Sequence, residues 1–218
     1  MKIKSSALIF DMDGVLVNSE KIWAGLEMEF LKQFVPQIPT EYNSKVIGKS
    51  LKDIYNMLLK DFPKIFLIEK SEFITEYEKF GLEKIYPKTQ LLPKMYEFLE
   101  KMSKKLPLAL ASSAQDSWVK TVVDTHQIRQ FFKVIVCSKD VKEAKPNPEI
   151  FLLAAQKLNI KPEKCTVLED SNNGVIAGKK AGMTVFGIRN GYNDEQNLSK
   201  ADKIFNIKDL HTSLLKAL

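Results

Sequence analysis

Apolar and polar positions alternate along this chain on two scales. From Leu106 onward, short apolar runs are separated by longer segments whose apolar positions recur every three or four residues. The runs at 108–111, 134–137, 166–168, 184–188 and 203–205 have the length of buried strands, whereas Ile150, Leu153, Ala154 and Leu158 have the spacing of a helix with one apolar face. Such alternation predicts an α/β fold, a parallel sheet covered by helices. One further strand is predicted early, at Ala7-Leu8-Ile9-Phe10, far along the chain from its nearest companion.

Between that first strand and the others the pattern is helical. Ile22, Trp23, Leu26, Phe30 and Phe34 fall on one stripe, Leu51, Ile54, Tyr55, Leu58 and Phe62 on a second, and Phe73, Ile74, Tyr77 and Phe80 on a third. Ser50 and Asp53 fit a capping box at the start of the second helix. A helical insert of this size exceeds a simple crossover, so the expected organisation is a helical cap domain over 18–87 inserted into a core of 1–17 and 88–218.

Composition narrows the class. Of 218 residues, 44% are hydrophobic and 28% charged, the mixture of a globular protein with a sizeable core. No apolar run approaches the roughly 20 residues that cross a bilayer, and the N-terminus carries carboxylates where a signal peptide needs an apolar stretch. A cytoplasmic protein without a membrane partner is therefore expected, with a monomer as its state. Thirty-three basic residues against 27 acidic ones leave a net charge of +6. The lysines are scattered singly or in pairs such as Lys104-Lys105, without interleaved aromatics, which describes a solvated surface and predicts no nucleic-acid partner. Cys137 and Cys165 fall in or beside apolar runs and are expected as buried free thiols.

The candidate chemistry lies at the strand ends. A buried strand that ends in two carboxylates, Asp11 and Asp13, calls for something that uses them. If the strand stops near Asp11 and Gly14 marks a turn or a close backbone approach, both acids crowd the carboxyl edge of the sheet, where open α/β sheets bind ligands. Alone, the pair also suits a solvated loop. The second core strand ends at Ser112 and Ser113, whose hydroxyl and N–H groups suit anionic oxygens, although a serine cap on the helix near Asp116 accounts equally well for Ser113. After the third strand, Lys145 precedes Pro146 and Pro148, which stiffen the turn that carries it. The fourth ends in Glu169 and Asp170, before a helix that Gly174 opens and Gly182 closes. Carboxylates converging in a dry cleft repel one another unless a hard cation neutralises them, and Mg²⁺ takes few carboxylates, keeps waters and accepts phosphate oxygens. With a lysine and a hydroxyl added, the site suits a phosphoryl group better than a carbonyl.

The segments DMDGVLVNSE, Ser112, AKPNP and LEDSNNGV resemble, in order and spacing, the four motifs of the haloacid dehalogenase superfamily, in its branch with a helical cap after the first motif. That branch includes sugar-phosphate phosphatases and β-phosphoglucomutase. The resemblance implies a three-layer Rossmann-like core and assigns roles: Asp11 as nucleophile, Asp13 as general acid and base, Ser112 as a hydrogen-bond donor to the transferring oxygens, and Lys145 as the offsetting charge. It implies that Asp11, Asp170 and the Asp13 backbone carbonyl hold Mg²⁺, supported by Glu169. Dehalogenases of the superfamily lack the second aspartate, so Asp13 points to phosphoryl transfer. The mutase pattern has an arginine three residues after the cap glycine of VIGKSLKD and a histidine early in the first cap helix, where this chain has Leu51 and Trp23. Lys49 is the nearby cation, and Trp23 resembles the aromatic that sugar-phosphate phosphatases pack over substrate, while also continuing a helical stripe. Gly14, Ser113, Trp23 and Lys49 are thus the candidate substrate-binding residues. Arg189 and Tyr192, after the fifth strand, fall where they could line the mouth of the site. The expected activity is a Mg²⁺-dependent phosphomonoesterase acting on a small phosphorylated metabolite, most simply a sugar phosphate. A phosphosugar mutase and a non-catalytic phosphate-binding module are the alternatives.

Overall fold

A computed structural model of the chain describes residues 5–46 and 51–209. Lys49 and the Ser50 end of the expected capping box lie outside the described residues. The strands are β1 (Ala7–Phe10), β2 (Leu108–Ala111), β3 (Phe132–Val136), β4 (Cys165–Glu169), β5 (Thr184–Arg189) and β6 (Lys203–Asn206). The helices are α1 (Ser19–Lys32), α2 (Asn43–Val46), α3 (Leu51–Asp61), α4 (Lys70–Phe80), α5 (Met95–Ser103), α6 (Asp116–Thr125), α7 (Glu149–Leu158) and α8 (Asn172–Lys180). The chain divides into two compact units, one from the residues up to Ser19 and from Thr89 onward, the other from Glu20–Lys88.

In the first unit, six parallel strands stand in the order β3-β2-β1-β4-β5-β6. Side chains alternate across the sheet, and the two faces are built differently. Ala7, Ile9, Ala109, Ala111, Cys165 and Val167 face Ile150, Phe151 and Ala154 of α7 and Val175 and Ala177 of α8, where small residues let the helices sit close. On the other face, Phe10 meets Phe98 of α5 and Phe132 edge-on, with centroids 6.1 and 6.0 Å apart. Burial on both faces explains why the strands read as continuous apolar runs and gives the three-layer Rossmann-like core. Both cysteines are free and buried. No described helix is long and apolar enough to cross a membrane.

Strand ends differ from the sequence reading at β3, which begins at Phe132 and stops at Val136. Exposed Lys133 interrupts the apolar run, and the Cys137 N–H donates to the Asp140 carboxylate at 2.9 Å instead of joining the ladder. The strand order makes β1 the pivot: the chain runs from β1 outward to β2 and β3, then crosses back to β4 on its other side. Ligands of open α/β sheets bind beyond the carboxyl ends at such a switch, here the ends of β1 and β4.

The second unit is held by aromatic packing. Phe30 lies 5.2–5.4 Å from the rings of Phe34, Phe73, Tyr77 and Phe80, and Phe66 packs on Tyr55 and Phe73. The three stripes therefore converge on one cluster, although Phe34 and Phe62 lie just past the ends of α1 and α3. Glu27, one turn before Leu31 on α1, is only 9% exposed, and burial pushes its carboxyl up to about 6. A raised acid costs stability once it ionises, so Glu27→Gln is expected to stabilise the protein by about 1 kcal/mol at pH 7, screening considered. In thermal denaturation that gain should fade as pH falls through 6 towards 4.5.

Candidate active site

The site grows from the end of β1. The Asp11 N–H donates to the Leu168 carbonyl at 3.0 Å, which carries the ladder to β4 one residue past the strand. The chain then turns: Gly14 adopts φ +76°, its N–H donates to the Val17 carbonyl, and the N–H groups of Leu16 and Val17 close on the Met12 carbonyl. An L side chain is strained at that φ, and a Cβ on Gly14 would stand 1.9 Å from Asp170 Oδ2. Gly14 is therefore the point where the first motif touches the fourth.

Lys145 ties the strand ends together. Its ammonium, on a side chain 6% exposed, donates to Asp11 Oδ1 at 2.5 Å, Glu169 Oε1 at 2.8 Å and the Ala111 carbonyl at 3.1 Å. One cation thus spans the ends of β1, β2 and β4. Burial raises the Asp11 carboxyl to about 8, the Lys145 charge pulls it down, and the Glu169 and Asp13 charges add to the rise. Desolvation lowers Lys145, but the two carboxylates more than offset this and hold its pKa above the ordinary value.

The remaining predicted residues have the following partners. The Ser19 hydroxyl donates to Asp13 Oδ1, and both belong to the first unit. Ser112 is buried, and its Oγ accepts from the Ala114 N–H at 3.0 Å. Ser113 is exposed and, with Ser138, Lys142, Lys145 and Ile150, lines a cavity of about 160 Å³. Trp23 lies in the second unit, stacked on Tyr77 with centroids 4.3 Å apart and planes 10° from parallel.

Glu169 is committed to the protein. Its Oε2 accepts from the Ser171 N–H at 2.8 Å and the Ser171 hydroxyl at 2.9 Å, while Oε1 holds Lys145. Ser171 in turn caps α8 by accepting from Gly174 N. A Cβ on Gly174 would fall within 2.3 Å of Glu169 carboxylate atoms. Gly174→Ala should therefore lower the melting temperature by the equivalent of about 1–3 kcal/mol and reduce turnover, opposite to the gain helix propensity alone gives at such a position.

The donor set fits a hard cation. Asp11 and Asp170 are carboxylates, the family resemblance adds the Asp13 carbonyl as a third oxygen, and the buried, raised Asp11 is the kind of acid that a neighbouring positive charge keeps ionised. Among the described residues, no three His, Cys, Asp or Glu side chains gather as a ready metal cage. Mg²⁺, which binds through one or two carboxylates plus water and phosphate oxygens, needs no such cage.

The sequence pattern of the haloacid dehalogenase-like hydrolases matches residues 8–188, from inside β1 to inside β5. The chain belongs to the haloacid dehalogenase-like hydrolases. It is 28% identical over 204 residues to a phosphorylated carbohydrates phosphatase of Thermotoga maritima, covering 93% of this chain and 94% of that one. A fructose-1-phosphate phosphatase of Escherichia coli is 26% identical over 189 residues, covering 84% and 96%. Among solved structures, a Thermotoga maritima protein provisionally assigned as a β-phosphoglucomutase superposes with a TM-score of 0.81 at 27% identity over 100% of both chains. The expected family, α/β core and enzyme of the phosphatase type are all met.

In this haloacid dehalogenase-like hydrolase, the sequence reading singled out Arg189 and Tyr192 after the fifth strand but missed Asn190 and Asn193. Asn190 Nδ2 donates to Asp170 Oδ2 at 3.0 Å and to the Gly14 carbonyl at 2.9 Å. Asn193 Nδ2 donates to the backbone carbonyls of Asp170 and Ile188 at 2.7 and 2.8 Å. The Arg189 guanidinium, a candidate for the mouth of the site, is turned back onto the Asn193 and Gln196 carbonyls at 2.5 and 2.9 Å. Tyr192 is 55% exposed. The NGYN segment reads in sequence as turn chemistry, and nothing in it signals that two asparagines are buried.

Proposed function

We propose that this hydrolase is a Mg²⁺-dependent phosphomonoesterase acting through an aspartyl-phosphate on a small phosphorylated metabolite, in the class of sugar phosphates. We place it in the cytoplasm as a monomer, with no nucleic-acid or membrane partner. The observation that carries the reading is Lys145 bonded to Asp11 and Glu169 at once, with a second aspartate, Asp13, held close by Ser19.

Asp11 is the nucleophile: its carboxylate oxygen bonds to phosphorus as the ester P–O bond breaks, and Asp13 gives its proton to the leaving alcohol. Water then attacks phosphorus, Asp13 takes the proton back, and the P–O bond to Asp11 breaks to release phosphate. Ser112 Oγ accepts from Ala114, which leaves its O–H to donate to a phosphoryl oxygen. Lys145 offsets charge on Asp11 and the phosphoryl group, and Glu169 acts through Lys145. Mg²⁺, held by Asp11, Asp170 and the Asp13 carbonyl, would supply positive charge for the transferring oxygens. Gly14, Ser113, Trp23 and Lys49 are the residues we assign to substrate binding, as the family resemblance implies.

The named activities of the two phosphatase relatives support the sugar-phosphate class. A mutase is the second reading, favoured by the Thermotoga maritima structural neighbour. Against it stand Leu51 and Trp23, which lack the forked cation and the imidazole of the mutase pattern. The test is phosphate release with Mg²⁺ from sugar phosphates, nucleotides, phosphoglycolate and pyrophosphate, with β-glucose 1-phosphate isomerisation followed in parallel. Chelator-sensitive release from a sugar phosphate is expected. Isomerisation without net release would move the assignment to a mutase, and saturable phosphate binding with neither activity would make the chain a binding module.

A further inference from the structure

The buried amide of Asn190 joins two groups from opposite ends of the sequence, the Gly14 carbonyl of the first motif and the Asp170 carboxylate of the fourth. We infer that Asn190 is a positioning residue, which fixes the rotation of the Asp170 carboxylate and its distance from the Gly14 turn, and so sets the geometry of the cation site. The inference rests on the Mg²⁺ reading above and extends it to a residue outside the four motifs.

Three observations support it. The side chain spends both amide hydrogens on these two partners, and with 9% exposure it has little water to exchange them for. Its Oδ1 accepts from the Tyr192 N–H at 2.9 Å, which orients the amide so that Nδ2 faces the acid. The Asn190 N–H donates to Asn193 Oδ1 at 3.1 Å, while Asn193 Nδ2 holds the Asp170 carbonyl, so the backbone and the carboxylate of Asp170 are pinned from one short segment. The segment is itself braced: Arg189 holds two of its carbonyls, and Gln196 Oε1 accepts from Asn172 N at the start of α8.

The contact at Gly14 shows how tight the arrangement is. A Cβ there would stand 1.9 Å from Asp170 Oδ2 and 2.7 Å from Asn190 Nδ2, so the three residues meet with no spare volume. A carboxylate whose one oxygen is held by a neutral donor keeps its negative charge and loses its freedom to rotate. Outer partners of this kind govern how well a ligand is presented, and their loss weakens metal affinity by about 10- to 100-fold.

The experiment is Mg²⁺ titration by calorimetry on the substrate-free protein. Wild type is compared with Asn190→Leu, Asn190→Asp and Asn193→Leu, and each is also melted in chelator. Asn190→Leu removes both donors at similar volume and should weaken Mg²⁺ binding about 10- to 100-fold, with kcat largely restored at saturating Mg²⁺ and KM for substrate little changed. Asn190→Asp keeps the shape but turns an acceptor towards Asp170, and should weaken binding at least as much. Asn193→Leu, whose side chain holds only backbone carbonyls, should lower the melting temperature with a smaller change in affinity. In an Asp170→Asn background, Asn190→Leu should add little further loss. Wild-type affinity in folded Asn190→Leu and Asn190→Asp, with only a lower melting temperature, would overturn the inference. Absence of Mg²⁺ binding by wild type would instead overturn the Mg²⁺ reading on which it rests.

Discussion

Asp11→Asn is expected to lower phosphate release at least about 10⁴-fold while the protein stays folded. The amide has the shape of the carboxyl but cannot form the bond to phosphorus. Stability should hold because burial and the charges of Glu169 and Asp13 disfavour the ionised Asp11, so losing its charge removes a penalty, while Lys145 keeps Glu169 and the Ala111 carbonyl. The decisive measurement is a single turnover with phosphate-labelled substrate and acid quench. Wild type should retain label on the protein, and Asp11→Asn none. Label retained by Asp11→Asn, or a rate within tenfold of wild type, would place the nucleophile elsewhere.

The second large effect is expected at Lys145. Lys145→Met keeps most of the side-chain length but removes the ammonium, which also lies 4.8 Å from the Phe151 ring centroid, and leaves Asp11 and Glu169 buried without their shared cation. Removing one partner of a buried ionic group costs about 3–5 kcal/mol, so denaturant unfolding should show a loss of that order together with loss of turnover. The sign with pH follows from the Asp11 carboxyl left behind. Burial raises Asp11 further once the ammonium is gone, so it takes up a proton readily, and the deficit relative to wild type should narrow as pH falls. Adding Glu169→Leu should restore much of the stability and none of the activity. A double variant that stays as unstable as Lys145→Met would show that the lysine stabilises through its stem.

What could be read in advance divides along physical lines. Strands buried on both faces announce themselves as apolar runs, which is why β1 and β2 were legible to the residue. The strand order was not, because register and crossover depend on contacts between distant segments. Site residues that follow a strand directly, such as Asp11, Ser112 and Asp170, are delivered by the fold to one edge, so the sequence was enough to group them. Orientation was not legible: Glu169 and Asp170 are neighbours, yet Glu169 turns to Lys145 and Ser171, whereas Asp170 turns to Gly14 and Asn190. Nor do Asn190 and Asn193 differ in sequence from ordinary turn residues, since only their burial and their partners in the folded chain set them apart. Trp23 satisfied both of its readings at the sequence level, and the stacking on Tyr77 shows the packing one directly.

The pairing of β1 bears on how the chain matures. Ala7–Phe10 are joined on one edge to residues 108–110 and on the other to Cys165–Leu168. During synthesis the central strand therefore emerges long before either neighbour, and its second edge stays open until the fourth strand leaves the ribosome. Contacts so distant in sequence form slowly, and an open apolar strand invites association with other nascent chains. The same step that joins β4 to β1 also brings Glu169 to Lys145 and Asp170 to the Gly14 turn, so a chain cut short before Cys165 lacks both of these acids.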